Sequence, residues 1–283
     1  MKDIKVSLIT TLYNESKNIE AFLDSYKKQT VYADEFIIVD GGSTDGTINF
    51  INNFIEKNKD LNIRLIVDES CSKKFVKGPI ARGRNVAIKN AKYHYIAVTD
   101  AGCVLDSKWF EEIIKPFQDK KVDVVSGWYK ALVTNDFQKT FEKIAMPNLE
   151  TLDKNSFLPS SRSIAFKKEC WERVGGYPEA TLTAEDTKFD LDLKKAGCRF
   201  VFTEKAFVYW ECPKNRKEAY DKMIYYAKGD GKLKLFFIKF LVRNIFLIFP
   251  IRILLDKEKR KNFTFHYGQM FYYQLGYIKG IFS

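Results

Sequence analysis

Metal-binding and disulfide chemistry have little to work with in this sequence. Its five cysteines (Cys71, Cys103, Cys170, Cys198 and Cys212) are odd in number and form no C-x-x-C pair. Reduced, cytosolic thiols therefore fit better than a disulfide frame or a zinc site. The two histidines, His94 and His266, stand alone and read as structural. The opening MKDIKVSLITTLYNE has no long apolar segment and no small-residue cleavage site, so no signal peptide is expected. No repeat recurs at a fixed period. One stretch approaches the length of a membrane span, LFFIKFLVRNIFLIFPIRILL over 235–255, but it contains Lys239, Arg243, Arg252 and Pro250. Central cations cost a spanning helix ~2.5–3.5 kcal/mol each. Lys232, Lys239 and Arg243 would share one face of a helix lying in the membrane surface, and this reading is favoured over a buried bundle or oligomer helix or a true span.

What is present supports a sizeable core. The chain has 283 residues, 46% apolar and 15% aromatic, with 24 Phe and 15 Tyr. That suits one large domain, or one domain with an appendage. The net charge of +11 is unevenly placed. From Lys205 onward 16 Lys and Arg face 6 Asp and Glu, a balance of +10, which leaves only +1 for the preceding residues. A neutral body with a basic end points to a polyanionic partner for that end, and its Phe, Leu and Ile fit anionic lipid better than nucleic acid.

The pattern along the chain alternates. VSLIT reads as a strand, followed by a helix with Ile19, Phe22, Leu23 and Tyr26 on one face. Phe36–Val39 is a buried strand that stops at Asp40 and a glycine-rich turn, with Asp45 able to cap the helix carrying Ile48, Ile51, Phe54 and Ile55. Further strands are expected at Asn62–Val67 and Tyr95–Thr99, with helices at Ile80–Ala91 and Trp109–Phe117. Beyond Val122–Val125 the alternation fades. A strand is expected at Ile164–Phe166, a helix from Thr183 to about Ala196, and strands at Cys198–Phe202 and Ala206–Trp210. Tyr225–Gly231 reads as a hinge into the basic end. Strands alternating with helices argue for an α/β fold with a parallel sheet.

In such sheets ligands bind beyond the carboxyl ends of the strands. Two strand ends carry a carboxylate, Asp40 and Asp100, and Glu185-Asp186 opens a later helix. Gly42 lets backbone approach a ligand, Tyr13 can stack on a base, and Arg84 can meet phosphate. Together these describe a site for a nucleotide-linked substrate. Taken singly, each is equally a cap or a turn: Thr183-x-x-Asp186 resembles a capping box with Asp in place of Glu.

VSLITTLYNE, EFIIVDGGSTDGT, ARGRN, VTDAGC and AEDT, in this order, resemble glycosyltransferase family 2 across roughly Lys5–Trp210. The resemblance implies the Rossmann-like GT-A fold, a mainly parallel central sheet flanked by helices, here with a helical, basic and aromatic extension. It implies a catalytic domain over 1–212, with a nucleotide half to about 105 and an acceptor half from 106, and an extension over 213–283. By resemblance Thr11, Tyr13, Glu15 and Gly42 line the nucleotide pocket, and Asp40 accepts a hydrogen bond from the base. Arg84 lies near the ribose or diphosphate, Asp100 opens the D-x-D element, and Asp186 is the base of an E-D pair with Glu185. Trp128, Ser161 and Arg162 are candidate acceptor contacts, and Lys214 and Arg216 candidate diphosphate contacts. Manganese or magnesium is expected at Asp100, although the element reads Asp100-Ala101-Gly102 and lacks its second carboxylate.

The activity implied is inverting transfer from a nucleotide-diphosphate sugar, UDP-linked in the first instance, to a lipid-linked or surface glycan on the cytoplasmic face of a membrane. One base opposite the leaving group means a single displacement, whose rate falls in acid as Asp186 is protonated. A polyprenyl-phosphate sugar synthase, a nucleotidyltransferase and a degenerate scaffold are the alternatives. The second would want a basic glycine-rich signature that TTLYNES lacks, and the intact Glu185-Asp186 pair weighs against the third.

Overall fold

In the computed structural model, which describes residues 4–283, the chain falls into two compact units. One runs to Lys130 and resumes over Asp153–Trp210, and the other joins Ala131–Leu152 to Glu211–Ser283. In chain order the elements are β1 (Val6–Leu12), α1 (Ile19–Lys27), β2 (Glu35–Asp40), α2 (Thr47–Lys57), β3 (Ile63–Val67), α3 (Pro79–Asn90) and β4 (Tyr95–Val98). There follow β5 (Cys103–Leu105), α4 (Trp109–Ile114), β6 (Val124–Ala131), α5 (Asp136–Ala145), β7 (Ile164–Lys167), α6 (Lys168–Val174), α7 (Glu185–Lys195) and β8 (Phe200–Trp210). The helices α8 (Arg216–Lys232), α9 (Phe237–Ile248), α10 (Ile251–Leu255), α11 (Lys257–Lys261) and α12 (Phe263–Ile281) complete the chain.

The described strands form one sheet in the order β3-β2-β1-β4-β7-β6-β8-β5. β1 pairs in parallel with β2, in register Leu12↔Asp40, and with β4, in register Ile9↔Val98, while β3 lies parallel on the outer side of β2. From β4 the direction alternates: β7 runs antiparallel to both β4 and β6, and β5 runs antiparallel to β8. β2 shows why its sequence is an unbroken apolar run. Phe36 and Ile38 enter a core with Phe22, Leu23, Ile51 and Trp109, while Ile37 and Val39 enter a second core with Ala87, Ile88, Tyr177 and Phe189. A strand buried on both faces has no polar side to show. Burying each such side chain contributes about 1.5–3 kcal/mol.

Four details depart from the sequence reading. The two strands expected after Cys198 are one, β8, and β5, α5 and α6 were not anticipated. β5 has only three residues and is fixed by pairing with β8, Cys103 opposite Trp210, a distant contact that no local pattern announces.

In the second unit the expected hinge at Tyr225–Gly231 is instead the interior of α8. Its glycines serve close helix packing. A Cβ at Gly231 would stand 2.0 Å from the Tyr277 carbonyl oxygen of α12, and one at Gly280 would stand 2.2 Å from that of Lys228. The 235–255 stretch is also broken. Leu235 precedes α9, Phe249-Pro250 separates α9 from α10, and no helix among the described residues is long and apolar enough to cross a membrane. Lys232 ends α8, before Lys234 and Phe236 turn through positive φ, so it does not share a helix face with Lys239 and Arg243. Tyr277 holds this packing together: its ring stacks on Phe240 at 4.2 Å and its hydroxyl donates to the Leu235 carbonyl at 2.9 Å.

Candidate active site

Two loops at the carboxyl ends of β1 and β2 are stitched together. The Asn14 amide donates to Ser43 Oγ at 2.7 Å, and Asn14 Oδ1 accepts from the Thr44 amide at 2.9 Å. The Glu15 amide donates to Thr47 Oγ1, and the Ser16 amide to Asp45 Oδ2, both at 3.0 Å. Asp45, one residue before the cap position Gly46, also accepts from the amide of Thr47, the first residue of α2, while tying in the first loop. These hydrogen bonds, led by the one from Thr47, hold its carboxyl well below the usual range. Asp40 is buried, and its Oδ1 accepts from the Gly42 and Ser43 amides at 2.8 and 2.6 Å. Its Oδ2 has no hydrogen-bond partner among the described residues, an acceptor suited to a ring N–H. The Tyr13 ring is half exposed and lies against Gly41. Gly42 turns with φ +88°, a conformation that favours glycine. Thr11 packs against α3 so closely that a Cβ on Gly83 would meet its Oγ1 at 1.9 Å.

Arg84, on α3, is the hub of a second cluster. It is 3% exposed; one terminal nitrogen meets Asp100 Oδ1 at 2.7 Å and the other Glu185 Oε1 at 2.8 Å. Its guanidinium lies 5.3 Å from the centre of the Tyr177 ring. The sequence reading gave Arg84 to phosphate. Its geometry makes it the clamp that holds two acidic residues from distant parts of the chain at one place. Asn85, the next residue, is saturated: its Nδ2 donates to the Tyr177 carbonyl and to Glu179, and its Oδ1 accepts from Trp171 Nε1 and the Tyr177 amide, all at 2.8–2.9 Å. Glu15 connects the two clusters electrostatically. Burial raises its carboxyl, with smaller pushes from Asp100 and Asp45 against a hydrogen bond from Asn18.

Helix α7 begins with the E-D pair. Ala184, which precedes it, sits at φ 64°, a left-handed conformation that costs an L-residue about 1–2 kcal/mol. Asp186 Oδ1 accepts from the Thr187 amide at 2.7 Å, while Oδ2 accepts from Ser160 Oγ at 3.3 Å. Ser160 in turn accepts from Arg162 at 2.9 Å. Arg162 lies 3.9 Å from Asp100 Oδ2, with its guanidinium 4.6 Å from the Trp210 ring centre and 5.5 Å from that of Tyr129. A chain of contacts thus joins Asp186, Ser160, Arg162, Asp100, Arg84 and Glu185. Burial, reinforced by Asp186, raises the Glu185 carboxyl despite the attraction of Arg84. One turn beyond Asp186 lies Asp190. It is 1% exposed, neither of its oxygens has a hydrogen-bond partner among the described residues, and burial raises its carboxyl well above the ordinary range. The sequence reading pointed to Asn85, within ARGRN, and to the Ser160-Ser161-Arg162 loop, but nothing in it singled out Asp190.

Four other expected residues have the following surroundings. Trp128 is buried, packed with Tyr129, Phe157 and Phe202, at the end of a run along β6 that is buried on both faces. Ser161 is buried against the Tyr177 hydroxyl. Neither is a surface for an acceptor. Lys214 and Arg216 belong to the second unit, where Lys214 pairs with Glu211 at 2.6 Å and Arg216 donates to Thr264.

The donor set at Asp100 does not suit a divalent cation. Gly102 supplies no ligand, although a side chain there would meet nothing within 4 Å. Among the described residues no group of three His, Cys, Asp or Glu could hold a metal. Both Asp100 oxygens already face guanidinium groups. A dication at about 5 Å from either would be repelled by on the order of 6 kcal/mol at an effective dielectric of 20.

The sequence matches Glycosyl transferase family 2 over residues 7–169. The O-antigen chain rhamnosyltransferase RfbN of Salmonella typhimurium is 25% identical over 72% of this chain and 66% of its own length. Glycosyltransferase GlyG of Streptococcus pneumoniae is 30% identical over 44% of this chain and 38% of its own. The chain therefore spans two thirds or less of these relatives. Among solved structures, the mannosyltransferase PcManGT from Pyrobaculum calidifontis, in complex with GDP-Man and Mn2+, superposes with a TM-score of 0.68 at 20% identity, covering 97% of this chain and 87% of its own. Staphylococcus aureus TarS 1–349 in complex with UDP-GlcNAc gives 0.57 at 21% identity, covering 79% of this chain and 66% of its own. The parallel strand ends, the stitched loops, Arg84, Asp100 and Arg162 fall within the matched span, Glu185 and Asp186 lie beyond its end, and the chain belongs to glycosyl transferase family 2.

Proposed function

We propose that this chain is an inverting glycosyltransferase, moving a sugar from a nucleoside-diphosphate donor to a hydroxyl acceptor. The observation that carries the reading is the contact chain from Asp100 through Arg84 to Glu185 and through Arg162 and Ser160 to Asp186. In this reading the base sits against Tyr13 with its ring N–H on Asp40 Oδ2, next to the β2 end. Asp40 and Asp100 end strands two positions apart, roughly 10 Å at the usual strand spacing, which suits a nucleoside reaching from base to diphosphate. PcManGT and TarS, whose structures contain a nucleotide sugar, support a donor of this class.

Asp186 then acts as the base. Its Oδ2 is oriented by Ser160, and its Oδ1 is fixed by the first turn of α7. As the acceptor oxygen attacks the anomeric carbon, its proton passes to Asp186 and the bond to the diphosphate breaks. Glu185 and Arg84 keep the start of α7 in place. The donor set at Asp100 does not support the metal expected there, and no step above depends on one. The test is product analysis with a panel of nucleotide sugars. A nucleoside diphosphate and a new glycosidic bond, both lost in Asp186→Asn, support the reading; released pyrophosphate would make the protein a nucleotidyltransferase.

The acceptor is proposed to be lipid-linked and met at an anionic membrane surface on the cytoplasmic side. Ile238, Leu241, Ile245 and Ile248 stand exposed along α9, with Leu255 beyond on α10. Lys234 and Lys239 accompany them at the surface. An apolar face edged with cations matches anionic headgroups above acyl chains. A sugar phosphoester as product would instead identify a polyprenyl-phosphate sugar synthase.

A further inference from the structure

We infer that Arg162 carries the electrostatic work at the leaving diphosphate that a divalent cation would otherwise do, and that Asp100 holds guanidinium groups instead of a metal. The inference rests on the glycosyltransferase reading above and goes beyond it. Transfer breaks the anomeric carbon–oxygen bond, and its electron pair stays on the terminal phosphate oxygen. The acceptor's proton goes to Asp186, so the nucleoside diphosphate leaves with one more negative charge than it carried in the donor. A group aimed at that oxygen lowers the barrier only if it is already in place when the charge appears.

Arg162 meets that condition. Its guanidinium packs against the Trp210 and Tyr129 rings, which restricts its rotamers, and Ser160 accepts from it at 2.9 Å. It lies between the two carboxylates that bracket the reaction: 3.9 Å from Asp100 Oδ2, and joined to Asp186 through Ser160. At that separation its link to Asp100 is an ion pair without a hydrogen bond, an arrangement a phosphate oxygen can replace or share. Its side chain is 17% exposed, against 4% for Arg84, whose two terminal nitrogens are taken by Asp100 and Glu185. Planar guanidinium groups match phosphate oxygens in pairs. Two cations at Asp100, with Gly102 where a second carboxylate would ligate, leave a divalent ion little to bind.

The experiment is calorimetric binding of UDP, GDP and dTDP, with uridine, guanosine and thymidine as controls, to the full chain in excess EDTA and again with added Mn2+. The expected result is that one diphosphate binds in EDTA with a Kd that Mn2+ shifts less than about 2-fold. Arg162→Gln should weaken that diphosphate by about 10- to 100-fold and Arg162→Lys by less, both leaving the matching nucleoside unchanged. Diphosphate binding that requires Mn2+ overturns the inference and leaves the glycosyltransferase reading standing. So does a folded Arg162→Gln protein with wild-type diphosphate affinity. An Arg162→Gln protein that does not fold leaves the metal comparison on the wild type to decide. If none of the three diphosphates binds with or without Mn2+, the nucleotide-sugar reading fails and the inference with it.

Discussion

Asp186 and Asp190 lie one turn apart on α7 and are predicted to respond to substitution in opposite ways. Asp186→Asn should lower kcat by about 10²–10⁴-fold, the usual contribution of a positioned base. A folded Asp186→Asn protein with wild-type kcat would take Asp186 out of the role. Asp190 bears on stability. Its groups of influence are Asp186, which raises its carboxyl further, and Lys194 and Arg84, which oppose. With the native value raised, the folded chain binds a proton that the unfolded chain gives up above about pH 4. Stability is therefore full below that pH and falls as pH rises toward the native value, by up to about 1.4 kcal/mol per pH unit. Urea melts from pH 4 to 8 should show stability falling less steeply with pH in Asp190→Asn than in the wild type, the raised carboxyls of Glu185 and Glu15 supplying the slope that remains. A slope common to both proteins would mean that Asp190 is ionised when folded. At this scale the sequence displayed the acidic residues that end strands or open helices, because a carboxylate at an element boundary stands out. It hid Asp190, which follows helical spacing like any interior residue, and it hid the pairing of Arg84 with Asp100 and Glu185, because a cation's partners from distant segments leave no local trace.

At the scale of elements, glycine decides two packings. Gly83→Ala would drive a methyl into Thr11 and Gly231→Ala one into the Tyr277 carbonyl. Overpacking of this kind costs about 1–3 kcal/mol. For Gly231→Ala the loss should appear in thermal melts with nucleotide binding intact, whereas Gly83→Ala should also weaken nucleotide binding by displacing the end of β1. Equal nucleotide affinity in the two variants would separate the Thr11 contact from the pocket. The parallel strands and their following helices were legible because two-sided burial writes a continuous apolar run, and because helix faces repeat. β5, α6 and the α8–α12 contact were not: three-residue pairing, a single short turn of helix and glycine-mediated approach are set by the partner, not by periodicity. The same limit turned a glycine-rich helix interior into an expected hinge.

At the scale of the whole molecule, the uneven charge and the exposed apolar face of α9 belong to one account. Co-sedimentation with vesicles containing phosphatidylglycerol should exceed that with phosphatidylcholine alone and should weaken with salt. Ile245→Asp should reduce it by at least about 10-fold, since an inserted isoleucine contributes roughly 1.5–3 kcal/mol. Binding indifferent to both lipid charge and Ile245 would remove the membrane from the account. The central claim, that distant acidic residues converge around an activated sugar, is tested most directly by a thermal-shift screen of UDP-, GDP- and dTDP-sugars against the wild type and Asp40→Asn. The account predicts that one nucleotide class raises the wild-type Tm by about 5 °C at a hundredfold excess over Kd, and that Asp40→Asn loses most of that shift. No shift from any nucleotide sugar, or an equal shift in both proteins, would contradict it.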